Sequence, residues 1–217
     1  VQDALASGIE VECVLVSSRV PDREKADLRA SGIEVSEVSE RLFSQLSSLE
    51  SPEGLLAIAR RPERSLDRLP AEGFIVVSAG IQDPGNLGAV ARVAEAAGGS
   101  AMVVLRGSCD PFGPKALRGS MGSLLRIPVY EADGEAAVRG RGFEIAALVP
   151  RDGIDFRAVS YRPPLAFLVG RESTGLDESA IGHAAIRITI PMRGGVESLN
   201  VATTAALVLY EAIRPRG

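Results

Sequence analysis

The chain is poor in cysteine, histidine and lysine, and it has no long apolar run. Its two cysteines, Cys13 and Cys109, are far apart and lack metal-ligand spacing. A disulfide framework and a bound metal are therefore excluded as organising features, and buried free thiols are expected. The single histidine, His183, has no partner of its kind, and a surface or packing role is expected for it. No apolar stretch approaches the roughly 18 residues of a membrane-spanning helix. The start, Val1-Gln2-Asp3, has neither an initiator methionine nor a signal-peptide charge pattern, so a fragment or trimmed chain in a cytoplasmic setting is expected. A basic excess is missing too: 24 basic residues face 28 acidic ones, for a net charge of −4. Residues 1–70 carry 9 basic and 13 acidic side chains and residues 71–217 carry 15 of each. A protein that held nucleic acid mainly by counterion release would be more positive, so any such contact must rest on a local patch or a second subunit. Of the 24 basic residues 22 are arginine, which we attribute to genomic base composition.

What the chain does have is 46% hydrophobic residues over 217 positions, enough for a well-packed core. Strand-like runs at Val11–Val16, Ile33–Val38 and Leu55–Ala59 alternate with helical patterns at Pro21–Ala30 and Glu40–Leu49, giving a small α/β unit over residues 1–60. Residues 61–71, with two prolines and dense charge, have the composition of a linker. Over residues 72–217, short apolar runs at Phe74–Ala79, Met102–Leu105, Leu125–Tyr130, Glu144–Val149, Leu165–Val169 and Ala185–Ile190 are mostly separated by helical stretches. That pattern implies an α/β fold with a mostly parallel sheet and helices on both faces.

Three segments at strand ends carry polar or conformationally special residues. After Phe74–Ala79 comes Asp83-Pro84-Gly85-Asn86-Leu87-Gly88-Ala89-Val90-Ala91-Arg92. Pro84 and Gly85 suit a type II turn, with Asn86 capping a helix over Leu87–Ala97. Gly88, one turn before Arg92, would leave room for the guanidinium to reach back to that turn, where an anion would also meet free N–H groups. The competing reading pairs Arg92 with Glu95. After Leu165–Val169 comes Gly170-Arg171-Glu172-Ser173-Thr174-Gly175-Leu176, where Gly170 would admit a ligand close to the backbone and Glu172 could orient a partner. After Ala185–Ile190 comes Pro191-Met192-Arg193-Gly194-Gly195-Val196-Glu197-Ser198-Leu199-Asn200, which feeds an apolar last helix. Strand carboxyl ends of open α/β sheets are where ligands bind. Neither G-x-G-x-x-G nor a P-loop is present, so a dinucleotide or Walker-type nucleotide site is not expected.

Together these motifs resemble the SpoU-type, or TrmH-like, RNA ribose 2′-O-methyltransferases of the SPOUT superfamily. The similarity covers about residues 74–213 and includes the central stretch Asp110–Gly122; residues 1–60 resemble, less specifically, the family's small substrate-binding domain. The resemblance implies a sheet whose carboxyl-terminal portion is tied in a deep trefoil knot, and a homodimer with a shared site in which Ala202, Ala205 and Ala206 could pack closely. It implies S-adenosylmethionine as cofactor, held near Val169, Gly170, Ile190, Met192 and Leu199. It assigns catalytic roles to Asn86, Arg92, Glu172, Ser198 and Asn200, and RNA contacts to Arg92, Lys115 and Arg118. A permanently charged guanidinium is a poor base, so Arg92 is read as holding the adjacent phosphate and stabilising developing alkoxide, with proton abstraction as the alternative. Arg60, Arg61 and Arg64 are further candidates for RNA contact. The expected substrate is ribosomal RNA, with transfer RNA as the alternative. The rival classes are a non-catalytic RNA-binding protein and a base methyltransferase with a related knot.

Overall fold

The computed structural model describes residues 1–47 and 52–215. Contacts divide the chain into two compact units, Val1–Pro62 and Glu63–Gly217. The first runs α1 (Gln2–Ala6), β1 (Val11–Val16), α2 (Asp22–Ala30), β2 (Glu34–Glu37), α3 (Glu40–Leu46) and β3 (Leu55–Ala59). Its sheet has the order β2-β1-β3, with β1 parallel to β2 and antiparallel to β3. Val14, Val16, Val20 and Leu28 form its buried centre. Ser39 caps α3 by accepting the Leu42 N–H at 3.3 Å. The helix expected to run to Leu49 is seen through Leu46, and Ser48 and Leu49 lie outside the described residues. Arg60 lies 3.4 Å from both Glu10 and Glu12 of the same unit.

The second unit runs β4 (Phe74–Ser78), α4 (Pro84–Ala96), β5 (Ala101–Leu105), α5 (Pro114–Ser120), α6 (Ser123–Arg126), β6 (Val129–Ala132), α7 (Glu135–Arg139), β7 (Glu144–Leu148), β8 (Ile154–Asp155), β9 (Leu165–Val169), α8 (Glu178–Gly182), β10 (Ile186–Thr189) and α9 (Val201–Ile213). Seven strands form one sheet in the order β6-β5-β4-β9-β7-β10-β8, and each neighbouring pair is parallel. Alternate side chains build two cores. Val76, Met102, Phe167 and Ile188 face α4, α5, α6 and α9, whereas Ile75, Val103, Ile145 and Leu168 face α7 and α8. Coverage on both faces explains why β5 and β9 are buried at every position and read as continuous apolar runs. Phe167 anchors the first core, with the rings of Phe74 and Tyr161 at 5.6 and 5.9 Å.

One expected strand is misplaced. Leu125 falls in α6, and the strand begins at Val129, because Gly122 in the left-handed region starts a helical turn that ends at Pro128. From β4 the chain adds β5 and β6 on one side, while β9, β7 and β10 lie on the other. The β4–β9 junction is therefore a topological switch point, where loops at the strands' carboxyl ends diverge and leave a crevice. Among the described residues no helix is long and apolar enough to cross a membrane.

Candidate active site

Helix α4 starts three residues before the sequence suggests. Pro84 occupies its first turn and Asp83, not Asn86, is the cap, its Oδ1 accepting the Asn86 N–H at 2.9 Å. Proline fits the first helical turn because its missing N–H is not needed there, so no type II turn forms. Asn86 is thereby released from capping, and its amide is free for the crevice. Asn200 does cap its helix: Oδ1 accepts the N–H of Ala202 at 2.9 Å and of Thr203 at 3.4 Å.

Those backbone donors fix the Asn200 amide, and its Nδ2 then donates to Asn86 Oδ1 at 2.9 Å. Asn86 is oriented in turn, donating from Nδ2 to Glu172 Oε1 at 3.0 Å. Glu172 also accepts the N–H of Asp83 at 3.3 Å and of Gln82 at 3.4 Å. The three strand-end segments are thus joined by one directional relay, each amide set by its neighbour. Partial burial pushes the Glu172 carboxyl upward. The Asn86 amide and the backbone N–H groups of Glu172, Gln82 and Asp83 outweigh that and hold it below the usual carboxylate range. Because the pKa is depressed, the relay is complete at neutral pH and is lost only as pH falls through the lowered value. A carbon-13 titration of the Glu172 carboxyl should give a midpoint below that of a freely solvated glutamate; an equal or higher midpoint would contradict the relay.

Beside the relay lies a cavity of about 550 Å³, a size suited to a small organic cofactor. Of the residues expected at the site, Asn86, Val169, Gly170, Glu172, Ile190, Met192, Ser198, Leu199 and Asn200 all line it. Its walls also include Leu148, Val149, Pro150 and Arg151 at the end of β7, Thr204 and Val208 of α9, and Arg171. Sequence reasoning missed these. The apolar run Glu144–Val149 ending at Pro150 was the available signal for the β7 end, but nothing in it is chemically distinctive. The apolar walls suit an adenosyl group, while the Gly170–Gly175 and Pro191–Asn200 loops offer polar backbone. The cavity's residues therefore fit S-adenosylmethionine.

Gly88 has a different purpose from the one expected, and Gly170, which lines the cavity, is also tightly packed on its Cβ side. A Cβ on Gly170 would sit 2.4 Å from the Gly175 carbonyl carbon and 2.6 Å from Leu176 N, so the space is filled by the chain's own backbone. A Cβ on Gly88 would sit 2.4 Å from Ala116 O and 2.6 Å from Ser120 N, so α5 crosses α4 there and the space before Arg92 is not empty. Gly119 contributes to the same crossing, since its Cβ would lie 3.1 Å from Gly85 Cα. That contact accounts for a glycine in Arg118-Gly119-Ser120.

Arg92 is exposed on α4 and does not line the cavity. Nor does it pair with Glu95, which binds Arg126 Nε at 2.7 Å and Nη2 at 2.9 Å. Lys115 and Arg118 also lie outside the cavity lining, and the Lys115 ammonium donates to Asp83 Oδ2 at 2.9 Å. Cys13 and Cys109 are free and half-buried, less covered than expected; burial raises the Cys109 thiol pKa. His183 is exposed, 3.4 Å from Glu135. The described residues contain no cluster of metal-ligating side chains.

Residues 73–210 match the model of the SpoU rRNA methylase family, and residues 1–57 match an MRM3-like substrate binding domain. The chain is 33% identical over 215 residues to the 23S rRNA (guanosine(2553)-2′-O)-methyltransferase RlmP of Bacillus subtilis, covering 97% of this chain and 84% of the relative. It is 36% identical over 140 residues to the tRNA (guanosine(18)-2′-O)-methyltransferase of Escherichia coli, covering 63% of this chain and 61% of the relative. Among solved structures, an AdoMet-bound rRNA methyltransferase from Sinorhizobium meliloti superposes with a TM-score of 0.85 at 30% identity, covering 97% of this chain and 82% of that one.

Proposed function

The chain belongs to the SpoU rRNA methylase family, and we propose that it methylates a ribose 2′-hydroxyl of 23S ribosomal RNA with S-adenosylmethionine as donor. The observation that carries this reading is the Asn200–Asn86–Glu172 relay beside a cavity of cofactor size. Ribosomal RNA is favoured over transfer RNA because the likeness to the ribosomal RNA enzyme runs through both units, whereas the likeness to the transfer RNA enzyme covers 140 residues.

In this reading the loops after β9 and β10, with Val169, Gly170, Ile190, Met192 and Leu199, hold the cofactor, which supplies an electrophilic sulfonium methyl. Methyl transfer demands in-line alignment of the ribose oxygen, and a rigid polar frame provides it. Asn86 presents a second amide proton beside the one given to Glu172, enough to orient a ribose hydroxyl. Ser198 lines the cavity, and its side chain, which makes no hydrogen bond among the described residues, is available to substrate or cofactor. Glu172 sets the frame without touching the reacting atoms. Arg92 binds the adjacent phosphate and stabilises charge developing on the oxygen. Arg92 and Arg118 are the proposed RNA-facing cations of the unit, and the first unit serves as the substrate-binding domain.

We also read the working form as a homodimer. Two features support it: Arg92 is exposed and lies outside its own chain's cavity, and Leu207, Tyr210 and Ile213 are exposed on the outer side of α9. Ala205, by contrast, is buried against the chain's own sheet. The deep trefoil knot of the carboxyl-terminal portion belongs to the same proposal, supported by the likeness of the fold to the AdoMet-bound rRNA methyltransferase structure. The test is incubation of the protein with unmodified 23S ribosomal RNA and tritiated-methyl cofactor, followed by alkaline hydrolysis. The expected product is one alkali-resistant labelled dinucleotide. Label on a base, in transfer RNA alone, or nowhere would overturn the reading.

A further inference from the structure

Lysine is rare in this chain: Lys25 and Lys115 are the only two among 24 basic residues. Both are committed to carboxylates. Lys25 is nearly buried and donates to Glu37 at 2.9 Å, with Asp22 at 3.5 Å, while Lys115 donates to Asp83 at 2.9 Å. A chain that otherwise uses arginine keeps a compact ammonium where one carboxylate oxygen is to be held, a task the wide guanidinium fork suits less well. Lys115 also stands in the first turn of α5, where a cation is disfavoured by the helix's own N–H groups, so local helix energetics do not explain it.

The Asp83 carboxylate is shared. Oδ2 accepts Lys115 Nζ at 2.9 Å and Oδ1 accepts the Asn86 N–H at 2.9 Å, while the Asp83 N–H donates to Glu172 at 3.3 Å. Asn86 is therefore clamped at both ends, its backbone by Asp83 and its amide by Glu172. Close backbone contact at Gly88 and Gly119 sets α5 against α4 and keeps Lys115 within reach of Asp83. We propose that Asp83 and Lys115 are a positioning pair for methyl transfer, Lys115 acting through Asp83 on Asn86 and not as a contact to RNA. This rests on the reading of the cavity as the methyl-transfer site. The Asp83 carboxyl lies below the usual carboxylate range, chiefly because of Lys115, so the pair is ionised at neutral pH.

The test uses Lys115→Met, Lys115→Gln, Asp83→Asn and the double variant Lys115→Met with Asp83→Asn. Asparagine still caps a helix, so Asp83→Asn removes the charge and leaves α4 started. Each single variant should lower kcat by about ten- to a hundredfold, the scale of a small misplacement of a reacting group. KM for RNA, cofactor affinity by calorimetry and melting temperature should stay near the parent values. The double variant should be no worse than either single one, because all break the same link. In the cofactor-free protein, the Asn86 side-chain amide resonances should shift in all variants, a readout that holds even if the parent protein methylates no RNA. The proposal is overturned by a raised RNA KM with unchanged kcat and a shallower salt dependence, which would mark a phosphate contact. Additive losses in the double variant, or Asn86 resonances that do not move, would overturn it equally.

Discussion

Replacing Arg92 by alanine lowers the rate of ribose methylation by about a thousandfold, the upper range for removing one donor that stabilises developing negative charge. Cofactor affinity and folding stability stay near the parent values, because the side chain is exposed and does not line the cavity. Arg92→Lys recovers only part of the rate, since an ammonium keeps the charge but loses the two-pronged grip on phosphate. Single-turnover kinetics with a 23S ribosomal RNA fragment, together with calorimetric titration of S-adenosylmethionine, separate the two effects. Unchanged turnover in Arg92→Ala would remove the residue from the mechanism, and a parallel loss of cofactor binding would place it in the cofactor pocket instead.

Gly170→Val is expected to weaken cofactor binding by about a hundredfold or more, equivalent to the roughly 3 kcal/mol that overpacking commonly costs. The cause is internal. The new Cβ would lie 2.4 Å from the Gly175 carbonyl carbon and 2.6 Å from its oxygen, and backbone atoms cannot rotate away as a side chain would. Relief requires opening the loop, which breaks the paired hydrogen bonds of 3.0 Å between Arg171 and Gly175. Glu172 sits inside that loop, so the relay to Asn86 is disturbed as well. Calorimetry and a melting curve check the prediction. Parent-like cofactor affinity in a folded Gly170→Val protein would show that the loop does not shape the cavity.

Most of the frame was legible in the sequence because apolar runs and their breaks follow from burial alone. The strands around Phe74, Leu165 and Ile186 were visible as short apolar segments, and the ends of those strands located the polar loops. Details that depend on neighbours distant in sequence were not. Asn86 looked like a cap because asparagine caps well, yet Asp83 won that position once Pro84 entered the helix. Gly88 and Gly170 signalled close approach, but not whether a ligand or the chain itself would approach; both are filled by backbone. The β7 end escaped notice because Leu148 and Val149 act by shape, and shape leaves no mark in one strand's sequence. Lys115 drew attention as a surface cation, whereas its partner Asp83 lies 32 residues away.

The hydrogen bond from Asn200 to Asn86 spans 114 residues of chain. At roughly 5–20 residues per second, a ribosome needs on the order of ten seconds to make the intervening segment. Throughout that interval the nascent protein has one amide of the relay without the other, and α9 has yet to emerge. An unfinished copy that stops short of Asn200 therefore lacks the relay, and the frame of the site closes only after α9 has been made.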